Sequence, residues 1–364
     1  MTIQLKQIGQ FRIIEKIGAG IAQVYLAEHP RYRQIALKVL PPSFNRNIKA
    51  ENRFKQEAHI LQRMRHPNIL RMYEASTYIT PNNEVYYYMA TEYQRDGSLH
   101  GLLHRSGGRL PEAKAVSLTV QIADALAFAH NNSVIHRDIK PSNVLLNGDR
   151  AILCDFNVAR DLERSSTGVG MLGTLAYMSP EQTLGNRNFV RRGSDIYSFG
   201  IVAYEMLTGY QPRNNPDLAD LIVVRMIQQE PLPPLRKIAP HITPAIASII
   251  DRCIAQERNQ RYDTMDQVAY ELRRATEQRG YVVPPQPQPY MERANSGNTP
   301  AHGHAVGSAQ APASLPLGFW LGIGGVLLVL VAILVMVLMM MTDSTTLQPV
   351  STPHLAQLLR GGLC

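Results

Sequence analysis

From residue 11 onward, short runs of alternating apolar and polar positions dominate: 11–15 (Phe-Arg-Ile-Ile-Glu), 23–27 (Gln-Val-Tyr-Leu-Ala) and 34–40 (Gln-Ile-Ala-Leu-Lys-Val-Leu). A period of two sends successive side chains to opposite faces, so each run predicts a strand. The period then lengthens. Between residues 51 and 61, Phe54, Ala58 and Leu61 share one side of a helix, with Glu57 beside that apolar face. Residues 86–93 read as a buried strand, and Asp96-Gly97-Ser98 opens a helix with a hydroxyl cap. Over 112–130, Ala115, Leu118, Ile122, Ala125 and Leu126 keep helical spacing and predict a core helix. Two extended runs follow, 144–146 and 151–154. Asn147-Gly148 between them accepts the positive φ angles of a tight turn, which predicts a hairpin. The remainder, to about residue 279, reads as mainly helical.

After Gly280 the pattern stops. Proline, glutamine, glycine, alanine and serine dominate residues 280–316, too little apolar surface to fold, so this stretch predicts a linker partly stiffened by proline. Residues 317–341 then run without a charge. At 1.5 Å per residue this length crosses a bilayer core of about 30 Å, so one transmembrane helix is expected, with a short tail at 342–364. Gly318 and Gly322 have the small-x-x-x-small spacing that brings two membrane helices together, and Cys364 offers an intermolecular disulfide. A homodimer is one arrangement these features allow.

A chain of 364 residues with net charge +8 has ample material for a core. Its Lys and Arg are spread rather than blocked, so nucleic acid is not expected as a partner. Cys154, Cys253 and Cys364 form no C-x-x-C pair, and residues 1–10 lack the apolar segment of a secretory signal. His100 and His104 stand four apart, a metal-compatible spacing, but lack a third ligand.

The chemistry concentrates at residues 136–143, His-Arg-Asp-Ile-Lys-Pro-Ser-Asn, and the hairpin behind them carries Asp155 back towards Asp138 and Asn143. This arrangement resembles the catalytic centre of the membrane-anchored, eukaryotic-like Ser/Thr protein kinases of bacterial type, over roughly residues 11–279. The resemblance implies a bilobal fold: a small β-rich lobe at about 11–93 and a larger helical lobe at about 94–279. It implies ATP as phosphoryl donor and Mg²⁺ as cofactor, with Mn²⁺ able to substitute. Asp138 would orient or accept the proton of the attacking hydroxyl, and Lys140 would set a cation near the γ-phosphate. Asn143 and Asp155 would supply hard oxygen ligands to the metal.

In the first lobe, Ile17-Gly18-Ala19-Gly20 and Val24 resemble the kinase glycine-rich loop, with the third glycine absent and one residue too few before Val24. Lys38, after Ala36-Leu37, corresponds to the strand lysine that holds phosphate, and Glu57 is its expected partner because a buried lysine needs one. Thr91 would guard the back of the adenine pocket, and Glu92 and Gln94 would offer backbone groups to the adenine edge. Asp155-Phe156-Asn157 stands where the family has Asp-Phe-Gly; Asn tolerates φ > 0 next best after glycine.

Residues 159–172 correspond to the activation segment, whose Ser165, Ser166 and Thr167 are candidate phosphorylation sites, with Arg137 as the docking cation. Thr174 and the Ser179-Pro180-Glu181 run close the segment. Glu181 is expected to pair with Arg261, and Asp195 to brace the catalytic loop. Lys140 beside Asp138, together with Thr174, implies Ser/Thr acceptors on protein substrates. The expected whole is a single-pass protein of the cell membrane with its catalytic domain in the cytoplasm, where ATP is. The rival is a pseudokinase scaffold, suggested by the damaged glycine loop and Asn157.

Overall fold

The computed structural model describes residues 6–44, 47–156, 175–185, 190–211, 213, 218–283 and 285. The first layer is an antiparallel sheet of β1 (Gln7–Ile8), β2 (Phe11–Gly18), β3 (Gln23–His29), β4 (Arg33–Leu40), β5 (Met72–Ile79) and β6 (Val85–Glu92), in the order β1-β2-β3-β4-β6-β5. Alternation explains its centre. In β4, Ile35, Leu37 and Val39 are buried and pack with Phe11, Tyr25, Tyr86 and Tyr88. β5 escapes that pattern. It is an edge strand, mostly half-buried or exposed, and its sequence Met-Tyr-Glu-Ala-Ser-Thr-Tyr-Ile carries no alternating signal.

Helix α1 (Ile48–Arg63) lies between β4 and β5 in sequence. Asn47 caps it by accepting from the Ala50 N–H, and Phe54, Ala58 and Leu61 face the core. A connector joins it to the second lobe: Leu70 N–H donates to Leu153 O at 2.9 Å, and Leu153 N–H to Asn68 O at 2.8 Å. The Asn68 side chain also donates to Gln121 Oε1 at 2.9 Å and Ala151 O at 2.7 Å, which fastens the first lobe to the hairpin under the catalytic loop.

The second lobe is helical: α2 (Leu99–Arg105), α3 (Glu112–Asn131), α4 (Arg192–Thr208), α5 (Asp220–Gln229), α6 (Leu235–Ile238), α7 (Pro244–Cys253) and α8 (Met265–Glu277). Helix α3 is buried on nearly every side, against α4, α8 and the hairpin strand β8 (Arg150–Leu153). Leu118, Ile122 and Leu126 are at most 1% exposed, and burying each stabilises the lobe by about 1.5–3 kcal/mol. Helix α4 ends at Gly209, whose φ of 71° supplies the left-handed cap and whose N–H returns to Glu205 O.

The hairpin of β7 (Val144–Asn147) and β8 differs from expectation in its turn. Asn147 pairs with Arg150, so the two-residue loop is Gly148-Asp149 rather than Asn147-Gly148. Gly148, at φ 61°, takes the first loop position, where a type II′ turn calls for glycine. The expected membrane span at 317–341 lies outside the described residues, as do the linker from 286 and the tail. Among the described residues, no helix is long and apolar enough to cross a membrane.

Candidate active site

Three strands and one helix set up the first half of the site. On β4, Lys38 is the register partner of Val24, and Ala36 that of Thr91, whose hydroxyl donates to Ala36 O at 3.3 Å. Lys38 Nζ donates to both oxygens of Glu57, at 2.8 and 2.9 Å, and to Asp155 Oδ1 at 2.8 Å. Burial would depress the ammonium, but Asp155 and then Glu57 outweigh it and hold Lys38 well above the usual lysine range. Glu57 shows the opposite balance. Burial pushes its carboxyl up to about 7, against the pull of Lys38. For Asp155 burial also pushes upward, yet Lys38 wins and the carboxyl is held low. By sequence, Glu57 is the expected partner of Lys38 and Asp155 an expected metal ligand. That one ammonium spans both carboxylates emerges only in three dimensions.

The catalytic loop supplies the second half. Asn143 Nδ2 donates to Asp138 O at 2.8 Å and to Asp138 Oδ2 at 3.0 Å, and Lys140 Nζ lies 3.0 Å from the same carboxylate oxygen. Cys154 N–H donates to Asn143 O at 3.0 Å, which sets Asp155, the next residue, beside this loop. Asp138, Lys140, Asn143 and Asp155 therefore converge through a short chain of bonds. With its Nδ2 committed to Asp138, the Asn143 amide turns its oxygen the other way. That oxygen and the Asp155 carboxylate are hard donors that fit Mg²⁺, whose remaining ligands are usually phosphate and water. Among the described residues, no cluster of three or more His, Cys, Asp and Glu side chains could hold a metal unaided.

Beneath the loop, Asp195 near the start of α4 accepts from His136 N–H and Arg137 N–H, each at 2.8 Å, and faces His130 Nε2 at 2.8 Å. Burial opposes its charge, but the bond from His130 and the charges of its neighbours hold the carboxyl low. Arg137 and Asp155 adopt φ of 67° and 58°, the left-handed region that side chains disfavour, so the site's backbone is held in place by such bonds. His136 Nε2 reaches Cys154 O at 2.9 Å, and its ring packs against Phe156. Burial depresses the His136 imidazole, which favours its neutral form. Nothing local in the sequence marks His130 for this role, and the His-Arg-Asp context is the only signal for His136.

The remaining candidates fall in three places. Ile17 and Gly18 end β2, Ala19 and Gly20 form its turn, and a Cβ on Gly18 would come within 3.2 Å of Val24 Cβ. Glu92 N–H donates to Arg71 O, its carboxylate accepts from Arg150, and the Gln94 side chain accepts from Asn147 at 3.0 Å. Glu181 meets Arg261 in two parallel bonds of 2.8 and 3.1 Å, and Ser194 adds a third to Glu181. Asn157, Ser165, Ser166, Thr167 and Thr174 lie outside the described residues. His100 and His104 are exposed on α2.

Residues 11–272 match the family described as protein kinase domain. The chain is 31% identical over 284 residues to the serine/threonine-protein kinase PknB of Mycolicibacterium smegmatis, covering 76% of this chain and 44% of that protein. It is 32% identical to pkn2 of Myxococcus xanthus, over 85% of this chain and 38% of that kinase. PrkC of Bacillus subtilis is also 32% identical, over 76% of this chain and 42% of its own length. The chain thus spans less than half the length of these curated relatives. The PknI kinase domain of Mycobacterium tuberculosis, solved as a cysteine-to-alanine mutant, superposes with a TM-score of 0.55 at 22% identity, over 74% of this chain and 97% of that one.

Proposed function

The chain belongs to the protein kinase domain family, and on that premise we propose that it transfers the γ-phosphoryl group of ATP to serine and threonine hydroxyls of protein substrates. One observation carries the reading: Lys38, Glu57 and Asp155 meet at one ammonium, while Asp138, Lys140 and Asn143 meet at one carboxylate, and Cys154 joins the two sets. Phosphoryl transfer leaves the protein mainly positioning and charge work. Lys38 holds phosphate oxygens, and Glu57 holds Lys38. Asp138, steadied by Asn143 and Lys140, accepts the hydroxyl proton. Lys140 then faces the charge that builds on the transferred group. Asn143 and Asp155 would hold magnesium, which would supply positive charge against the phosphate groups. A scaffold relieved of catalysis has no need for both clusters, so the pseudokinase reading is not favoured.

The same proposal extends to location and control. The uncharged run at 317–341 supports a single membrane span, with the catalytic lobes on the ATP-containing, cytoplasmic side. Ser165, Ser166 and Thr167 support phosphorylation of the chain by a second copy, with Arg137 as the acceptor of the new charge.

Transfer from labelled ATP to a general acceptor protein tests the reaction, comparing the native chain with Asp138→Asn and Asp155→Ala. Both variants are expected to lose activity by about 10²–10⁴-fold. Equal rates in all three would end the proposal. Membrane fractionation and phosphosite mapping of an active preparation test the other two parts.

A further inference from the structure

The peptide plane that joins Arg137 to Asp138 is gripped at both ends. Its N–H, from Asp138, donates to His136 Nδ1 at 3.3 Å, and its C=O, from Arg137, accepts from Gln182 Nε2 at 3.0 Å. One plane earlier, Asp195 accepts the Arg137 N–H at 2.8 Å. Arg137 stands at φ 67°, which side chains disfavour, so groups around it must hold it there. Gln182 comes from a separate element, the 3₁₀ turn Pro180–Leu184. It is 5% exposed, and both ends of its amide are used. Oε1 accepts from Ser179 N–H at 2.9 Å and from the Ser179 hydroxyl at 3.1 Å, while Nε2 donates to Arg137 O. A backbone N–H can only donate and a backbone carbonyl only accept, so the two ends of the amide cannot be exchanged. Capping the turn explains half of this. A capping box takes Glu as readily as Gln, because the first N–H needs only an acceptor. The bond to Arg137 O needs a donor as well, and among side chains of this length an amide alone supplies both at neutral pH. The preceding residue is fixed too: Glu181 pairs with buried Arg261 and accepts from Ser194. Gln182 therefore reaches the catalytic loop from a rigid base.

We propose that Gln182 is a positioning residue for phosphoryl transfer: by holding the Arg137 carbonyl it fixes the plane that aims Asp138, and it ties that aim to the turn that follows Ser179. Transfer depends on placement, and a shift of about 1 Å near the reacting atoms costs about 10²-fold. The inference rests on the proposed kinase reaction, in which Asp138 takes the proton of the acceptor hydroxyl.

Gln182→Glu separates the two bonds. The carboxylate still accepts from Ser179 but sets a second acceptor against the Arg137 carbonyl. In labelled-ATP transfer by the full chain, kcat per folded molecule is expected to fall about 10–10²-fold, with KM for ATP and for the acceptor protein changed by less than about twofold. The deficit relative to the native chain is expected to shrink as pH falls from about 8 to about 6, because burial raises a carboxyl and its protonated form donates where the ion cannot. Gln182→Met, which has no N–H to donate, is expected to lose as much at every pH in that range. Gly200→Ala, whose new Cβ would press on Cys253 and Ile254 rather than on the loop, is the control for lost stability, and its kcat per folded molecule is expected to stay native. Both Gln182 variants within about twofold of native kcat would overturn the proposal. So would a loss no larger than that of Gly200→Ala, or a loss confined to the acceptor KM. Asp138→Asn runs beside them. If it loses transfer while the Gln182 variants keep it, the kinase reaction stands and the role of Gln182 falls; if the native chain transfers nothing, both fall.

Discussion

Replacing Asp195 by asparagine tests how the catalytic loop is held. The carboxylate is 1% exposed and receives two backbone N–H groups and the His130 ring, all at 2.8 Å. Asparagine keeps the shape but turns one acceptor into a donor, which then faces an N–H. Hydrogen bonds to a charged acceptor contribute about 1.5–3 kcal/mol each, though not additively, and loss of one partner in a buried charged set costs about 3–5 kcal/mol. For a domain of this size, 1 kcal/mol shifts the melting temperature by roughly 2–4 °C, so a fall of roughly 6–20 °C is expected. Catalysis should suffer as well, because Arg137 sits at a φ of 67° that the Asp195 bond helps to enforce, and Asp138 follows directly. The folded Asp195 carboxyl is depressed below the unfolded value of about 3.9, so its stabilising effect is present above that pH and lost as pH falls through the folded value. Thermal melts from pH 3 to 8, paired with labelled-ATP transfer, read both effects. A drop below about 2 °C near neutral pH, with transfer unchanged, would refute the claim that this buried charge holds the loop.

The Glu57 carboxyl, raised to about 7 by burial, must be ionised to hold Lys38, so kcat/KM is expected to rise through that pH, and Glu57→Gln should be slower and lack that limb. Arg261 is wholly buried against Glu181, so Arg261→Met strands a carboxylate and should cost about 3–5 kcal/mol, whereas Arg261→Met with Glu181→Met should recover part of that in a double-mutant cycle read by urea unfolding. Gly200→Ala should destabilise despite a helix-propensity gain of about 1 kcal/mol, because the new Cβ would lie 2.6 Å from Ile254 Cγ2 and 2.8 Å from Cys253 Cβ; overpacking costs about 1–3 kcal/mol, and a melt that rises would contradict it.

Legibility in the sequence followed burial. The strands β2, β3, β4 and β6 have one face in a core, and helix α3 is packed from all sides, so their apolar spacing carried through to the fold. Strand β5 stands at an edge, where little burial demands alternation, and no run of residues announced it. The hairpin was visible from its extended runs, but its turn slipped by one residue, because glycine fits the first position of a type II′ loop as readily as the second of a type I′. Site geometry was legible only where a motif stood in for it. Lys38 and Asp155 are 117 residues apart, and no local period relates them. The roles of His130 and Asn68 are purely tertiary and left no local trace.

Lys38 shows why the two halves of the site act together. An ammonium has three donors. In this structure Glu57 takes two of its bonds, through both carboxylate oxygens, and Asp155 takes the other. A phosphate oxygen entering beside β4 must therefore displace one of these bonds. Glu57 has no other task in the proposed reaction, whereas Asp155 is needed as a metal ligand, so the bond to Asp155 is the one that must open. Nucleotide and Asp155 would thus compete for one N–H of Lys38, and a metal held by Asp155 would supply the positive charge that the carboxylate gives up. Substitution of Asp155 by alanine removes that competitor along with the ligand. It should tighten the hold of Lys38 on metal-free ATP while abolishing magnesium-dependent transfer, and weaker binding of metal-free ATP to Asp155→Ala than to the native chain, by calorimetry in EDTA, would show that the competition is absent.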